Sequence, residues 1–386
     1  MSRTGARWLL IAVAVALNVL PLLRKADQAS CPSLAPESPA HAPLDAQSPF
    51  FTNELINPGS PRPMSHVASI CELPDGRLAA AWYAGSREGA TDVAICFAAQ
   101  QPGASAWTRP RPLISPARAS RDLHRAVRKV GNPVIFSDAA GNLSLLYVTI
   151  TLGGWSGSSL NLTTSADAGL TWSPSRRLTL SPFFNLSELV RNRPLALSDG
   201  GTLVPIYHEF IGKFPELLWL GDRSHGLSAM KTRIAGGRSG FQPALAALGT
   251  NRALAFLRDC SARARISLAR SEDSARTWSD PQALDLPNPD SGLSAVRLSD
   301  GRLLLAFNDS ETGRDNLRLA ISADDGRTWK RVATLEDEPR AEFSYPFLLQ
   351  ARDGKIHIVY TWKRQAIKHA AFNAAWLDAQ ARRPPG

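Results

Sequence analysis

The stretch Ser322-Ala323-Asp324-Asp325-Gly326-Arg327-Thr328-Trp329 reads S-x-D-x-G-x-T-W, and the chain repeats it intact from Ser165 to Trp172. A third copy runs from Ser271 to Trp278, with Ala275 in place of the glycine. Three copies of an eight-residue pattern mark an internal repeat, so the fold is read by asking what recurs around them. Each recurring position has a physical role. The Asp or Ser side chain bonds nearby backbone and closes a turn. The Gly takes φ > 0 without steric cost. The Trp is a large apolar plug that locks a hairpin onto its neighbour.

Outside the octets, from residue 64 onward, an apolar strand, a turn and a second apolar strand recur six times. The turns fall at Asp75-Gly76, Asp138–Gly141, Ser198–Gly201, Gly249–Asn251, Asp300-Gly301 and Asp353-Gly354. Asp-Gly between β-rich apolar runs is a strong hairpin signal. The octets follow the turns at a nearly fixed offset: Gly141 leads to Ser165, Gly249 to Ser271, Gly301 to Ser322. Trp219–Ser228 and Cys96–Trp107 read as remnants of the same element. Each unit is then four strands, with the octet closing the hairpin between the third and fourth. Long helical periodicity is absent after residue 25. The predicted fold is all-β, a six-bladed β-propeller over residues 64–375 with a tail at 376–386, in preference to a pair of β-sandwiches.

The chain has 386 residues, 44% hydrophobic and 20% charged, which is globular composition. Its formal net charge of +10 is carried mostly by scattered arginines, with no Lys/Arg block. That suits a basic surface or attraction to an acidic glycan, and no nucleic-acid partner is expected. Residues 1–25 differ from the rest. Arg3 and Arg7 precede the apolar run Trp8–Leu23, and Arg24-Lys25 follow it. This reads as an N-terminal hydrophobic anchor helix or a cleaved signal, and either exports the body to the periplasmic or extracellular face. Residues 26–63, rich in Pro and Ser, read as a linker. Cys31, Cys71, Cys96 and Cys260 form no disulfide framework and lack metal spacing. Cys71 and Cys96 are either a pair within one sheet or two buried thiols. No metal, no cofactor and a monomer are expected.

In a propeller, ligands sit at the channel mouth that collects the start of strand one and the end of strand two of each blade. The Asp-Gly turns and the octets lie away from that mouth and are scaffold. The residues this rule selects are strongly polar: His66, Arg87, Glu88 and Asp92 from blade one, Asn132 from blade two, and Arg191, Arg193 and Glu209 from blade three. Blade four adds Gln242 and Arg258, blade five Asn308 and Arg314, and blade six Glu342, Tyr345, Trp362 and Arg364. Several arginines facing one pocket suit an anion, and their forks match a carboxylate. Glu88 or Asp92, beside Arg87, is a candidate general acid.

The octet is the Asp-box of the sialidase superfamily, and residues 64–373 resemble the bacterial BNR-repeat, sialidase-like proteins. The order Asn308, Arg314-Asp315-Asn316-Leu317, the box at Ser322, then Tyr345 resembles the sialidase order of arginine, Asp-box and nucleophilic tyrosine. Arg258 looks like a second member of the arginine cluster. Arg87 and Asp92 look like the arginine and the acid/base aspartate of the first blade. The resemblance implies an exo-glycosidase. Arginines clamp the carboxylate of a terminal acidic sugar, aspartate protonates the leaving oxygen, and tyrosine attacks the anomeric centre. Two positions depart from the pattern. Met64-Ser65-His66 stands where sialidases open with Arg-Ile-Pro. Gln242 stands where the glutamate that activates the tyrosine belongs, and an amide cannot take a phenol proton, so Glu209 or Glu342 would substitute. A glycan-binding or assembly propeller without catalysis, and a uronate lyase using Tyr345 and His66, are the competing functions.

Overall fold

The computed structural model describes residues 32–35, 48–138, 140–180, 186–221, 229–234 and 239–383. Six antiparallel sheets of four or five strands follow one another along the chain. The first strands are Met64–Glu72, Lys129–Ser137, the split pair Leu189–Val190 and Leu195–Ala196, Gly240–Ala247, Ser294–Arg297 and Phe343–Gln350. They lie against one another in a ring, so the expected six-bladed propeller is what forms. The apolar run Trp8–Leu23, expected as an anchor helix, lies outside the described residues. Among the described residues, no helix is long and apolar enough to cross a membrane.

The octets do what their residues dictate. They join third to fourth strands, after Ser158–Ser165, Arg265–Ser271 and Asn316–Ser322. In the last copy, Ser322 Oγ donates to Asp324 Oδ1 at 2.8 Å and accepts from Gly326 N–H at 2.9 Å. Thr328 closes the turn, donating from N–H at 2.9 Å and from Oγ1 at 2.6 Å to the same carboxylate. Trp329 Nε1 returns to Gly326 O at 3.3 Å. The plug reaches the preceding blade: Trp329 meets Phe256 edge-on at 5.6 Å, and Trp172 meets Phe97 at 5.9 Å. Ala275 takes φ 67° in the copy that lacks glycine, the left-handed conformation that Gly326 holds at 77°. Cys71 and Cys96 are buried free thiols rather than a pair.

Two boundaries move relative to the sequence reading. The stretch taken as linker supplies Phe51–Leu55, which pairs with Ala366–Phe372 as the outer strand of the sixth blade. The propeller is therefore closed by strands from both ends of the described chain. Upstream, Leu34 is buried in the third blade and bridges Leu197. The stretch taken as a C-terminal tail carries a helix, Ala374–Ala381, capped by the Asn373 side chain, which accepts from Trp376 N–H. It packs on the fifth blade through Leu377 and on Phe51 through Trp376.

Candidate functional site

The first strands are bulged at the mouth. The ladder slips between His66 and Ser69, Gly131 and Val134, Phe241 and Ala244, and Ser344 and Phe347. Each slip holds one non-glycine residue at positive φ: Val67 at 51°, Asn132 at 46°, Gln242 at 50° and Tyr345 at 54°. Such a bulge re-aims a side chain, and left-handed backbone at bulky residues persists only where surrounding contacts impose it. Proline follows three of the four, at Pro133, Pro243 and Pro346. It has no N–H to leave unpaired where the ladder breaks.

Tyr345 is half-buried and central. Arg258 Nη1 donates to its hydroxyl at 3.5 Å. Arg191 and Arg314 place their guanidinium carbons 5.2 and 5.6 Å from its ring centre, and His66 meets it edge-on at 5.0 Å. Gly292 is required here, because a Cβ would lie 2.7 Å from Tyr345 Cδ1. Arg258 is anchored from both sides, donating from Nε to Asp290 at 2.6 Å and from Nη1 to Gln242 Oε1 at 3.1 Å. Gln242 also donates to Tyr207 Oη, as does Asn132, each at 3.1 Å. Arg314 Nη2 donates to Asp290 O at 2.8 Å, with Nη1 3.8 Å from Glu342. The structure thus brings Tyr345, Arg258, Arg314, His66 and Gln242 together, with Asn132 behind them.

On the same blade as Tyr345, Arg364 bridges Glu88 at 2.7 Å and Glu342 at 2.5 Å. Glu88 also accepts from Tyr83 Oη at 3.4 Å. Asp92 is exposed, and both its oxygens are tied to Ser86, which holds its carboxyl below the usual range. Arg87 is exposed on the same loop, and Arg193 is half-buried beside Pro194. Glu209 is half-buried. Burial raises its proton affinity, while Lys213 and Arg258 pull the other way.

Two expected contacts, His66 and Asn308, are committed inside the fold. His66 is fully buried, its Nδ1 bonded to Thr361 Oγ1 at 2.9 Å, and burial and then nearby arginines push it well below its usual pKa. Asn308 is spent on backbone, donating to Asn316 O at 2.5 Å and Phe343 O at 2.7 Å. Trp362 is half-buried beneath Lys363 Nζ, 4.6 Å from its ring centre. Sequence reading missed Asp290, a loop residue at φ 51° just before the fifth blade's first strand, the chain position that holds site residues in other blades. No group of three or more His, Cys, Asp or Glu among the described residues is arranged to hold a metal.

A six-bladed propeller with Asp-boxes and an arginine-flanked tyrosine at the channel mouth defines a sialidase-like protein. The profile of the BNR repeat-like domain matches residues 76–358, and the chain belongs to that family. Among solved structures, a Hadza microbial sialidase superposes with a TM-score of 0.68 at 19% identity, covering 83% of this chain and 68% of that one. The intramolecular trans-sialidase from Ruminococcus gnavus gives 0.66 at 15% identity, covering 86% and 99%. The NanB sialidase from Streptococcus pneumoniae gives 0.63 at 12% identity, covering 85% and 70%. At these identities the likeness establishes the fold. No curated protein sequence matches the chain.

Proposed function

We propose that this protein is an exo-glycosidase of sialidase type that removes a terminal acidic sugar from a glycan. The observation that carries the reading is the placement of Tyr345: its hydroxyl lies 3.5 Å from Arg258 Nη1 at the mouth, with Arg314 over its ring. Arg258 and Arg314 would take the sugar carboxylate. Tyr345 would attack the anomeric carbon as the bond to the leaving oxygen breaks. Its phenol proton would pass to Glu209 or Glu342 while the Arg258 cation offsets negative charge on the phenol oxygen, and water would then release the sugar from the tyrosine. A neutral phenol approaches an anionic sugar without the repulsion a carboxylate nucleophile would meet. Asp92, on the open loop beside Arg87, is the proposed proton donor to the leaving oxygen. Replacing it with Asn should slow hydrolysis of natural glycosides far more than of nitrophenyl glycosides, whose leaving group needs no proton. Equal loss on both would remove Asp92 from that role.

The test of the whole reading is turnover of aryl glycosides of sialic, keto-deoxy-octulosonic and uronic acids by the full-length protein. We expect hydrolysis of at least one, reduced at least 10²-fold in Tyr345→Phe. No turnover of any would sink it. A second reading, a propeller that only binds acidic glycans, is favoured by Gln242, whose Oε1 accepts from Arg258 and so pins the clamp without taking a proton. Glycan binding unchanged in Tyr345→Phe, with no hydrolysis by the parent, would select it. The apolar run Trp8–Leu23 supports export, with the propeller outside the cytoplasm and either held at the membrane or released from it.

A further inference from the structure

Asp290 lies in the segment between the fourth blade's last strand, Gln282–Pro287, and the fifth blade's first, Ser294–Arg297. Two arginines from different blades meet on it. Its Oδ1 accepts from Arg258 Nε at 2.6 Å, and its backbone carbonyl accepts from Arg314 Nη2 at 2.8 Å. A third cation, Lys213 Nζ of the third blade, stands 3.9 Å from Oδ2. Two positions on, Gly292 lies so close to the Tyr345 ring that no Cβ fits. One short segment therefore touches both arginines of the proposed carboxylate clamp and the tyrosine as well. The segment is itself pinned. Asn288 and Ser291, both fully buried, bracket Asp290 and bond each other. Asn288 Nδ2 donates to Ser291 O at 3.0 Å, and Ser291 N–H donates back to Asn288 Oδ1 at 3.1 Å. Asn288 N–H is tied in turn to Ala264 O at 2.8 Å. Pro287 and Pro289 fix φ on either side of Asn288. Asp290 holds φ 51°, which Asp, Asn and Gly adopt at small cost.

A carboxylate beside an anion-binding arginine has the wrong sign to attract an acidic sugar. It repels the incoming charge and partly neutralises the cation. What Asp290 supplies is geometry. Arg258 Nε is committed to it, which leaves for a ligand the Nη end of the fork, where Nη1 reaches Tyr345 Oη at 3.5 Å. We propose that Asp290 is the positioning residue of the clamp, its side chain aiming Arg258 and its carbonyl aiming Arg314 at one carboxylate. This assignment rests on the acidic-sugar reading of the site and names what holds its clamp in place. An aim fixed before binding spares the ligand the ordering of two long side chains.

Asp290→Asn and Asp290→Gly separate aim from charge. Both tolerate the left-handed backbone and keep the carbonyl for Arg314. Asn also keeps an oxygen for Arg258 Nε and loses only the charge. Kinetics on the full-length protein use whichever aryl glycoside of sialic, keto-deoxy-octulosonic or uronic acid it hydrolyses. Asp290→Gly should raise KM about 10-fold, with a smaller fall in kcat. Asp290→Asn should hold KM at or below the parent's value, since the repulsion goes and the aim stays. Thermal midpoints should stay near the parent's in both, whereas a merely structural role would lower the midpoint and leave KM unmoved. If the parent binds the free acids without turnover, Kd replaces KM. A parent-like KM in Asp290→Gly, or equal impairment in the two variants, overturns the assignment while parental turnover leaves the wider reading standing. A parent that neither hydrolyses nor binds any of these sugars overturns both. A crystal structure of Asp290→Gly reads the aim directly. Arg258 displaced, with Arg314 still on the same carbonyl, supports the assignment, and Arg258 in its parental place overturns it.

Discussion

At the scale of single residues, the mouth is a set of charges that largely neutralise one another before any ligand arrives. Arg258 holds Asp290 and Gln242, and Arg364 holds Glu88 and Glu342. An arginine held in this way is pre-aimed, and little ordering remains to be done when a carboxylate binds. Replacing Arg258 by Met should therefore lower kcat/KM by about 10²-fold or more, with most of the loss in KM if the arginine serves ground-state binding. Lys at the same position keeps the charge and loses the fork, and should recover only part. Steady-state kinetics on both variants separate the terms, and a parent-like KM in Arg258→Met would remove it from the clamp. Arg258, Arg314 and Tyr345 were legible in the sequence because motif spacing fixes them. Asp290 was not, since a loop aspartate carries no periodic signal. Arg191 was visible as a mouth residue, but that it is buried against Tyr345 from the opposite blade is a fact of ring closure that no local pattern records.

At the scale of the element, the octet can be perturbed in graded steps. A Cβ at Gly326 meets nothing nearer than 3.5 Å, whereas at Gly169 it would lie 2.5 Å from Phe97 Cζ. Both glycines have positive φ, and Ala275 shows that a Cβ is tolerated at the equivalent position. Gly326→Ala should then cost about 1 kcal/mol from backbone conformation alone, and Gly169→Ala about 3 kcal/mol once the ring must shift. Denaturant midpoints that fail to separate the two would show that the plug adjusts freely. The box aspartates also couple stability to pH. Hydrogen bonds from Thr171 hold Asp167 down at about 2, against 3.8 for a free aspartate, and Thr328 holds Asp324 lower still. A folded-state pKa below the unfolded one gives stability that is complete above about pH 4 and is lost as pH falls toward 2. Asp167→Asn should lower the thermal midpoint at pH 7 and flatten its fall between pH 4 and 2. The boxes were legible because local bonding within eight residues makes them. The third blade's first strand was less so. It is split by Arg191-Asn192-Arg193, a polar interruption serving the channel rather than the ladder.

At the scale of the molecule, a propeller is a ring, and its stability rests on the seam where the last blade closes. Here the seam uses Phe51–Leu55, a stretch whose Pro- and Ser-rich flanks disguised it as linker. A strand that short has no hairpin partner in sequence, so only tertiary pairing reveals it. Its contacts bind both sides of the closure. All five residues pair with Ala366–Phe372, and Glu54 accepts from Gln100 at 2.8 Å and Trp107 at 3.1 Å in the first blade. Asn373 ties the entry, accepting from Phe50 N–H at 3.0 Å and donating to Ser48 O at 2.8 Å. Without the strand, Ala366–Phe372 becomes a mostly buried, apolar edge with unpaired backbone, a template for association with another chain. Two truncations isolate the effect. A chain starting at residue 48 keeps the strand, and one starting at residue 58 lacks it, while both lack the Leu34 contact on the third blade. The first should elute as a single species and unfold cooperatively. The second should aggregate, or melt at a markedly lower temperature, with the first and sixth blades exchanging amide hydrogen before the third and fourth. Equal melting and equal exchange in the two would show that the ring closes without its seam strand.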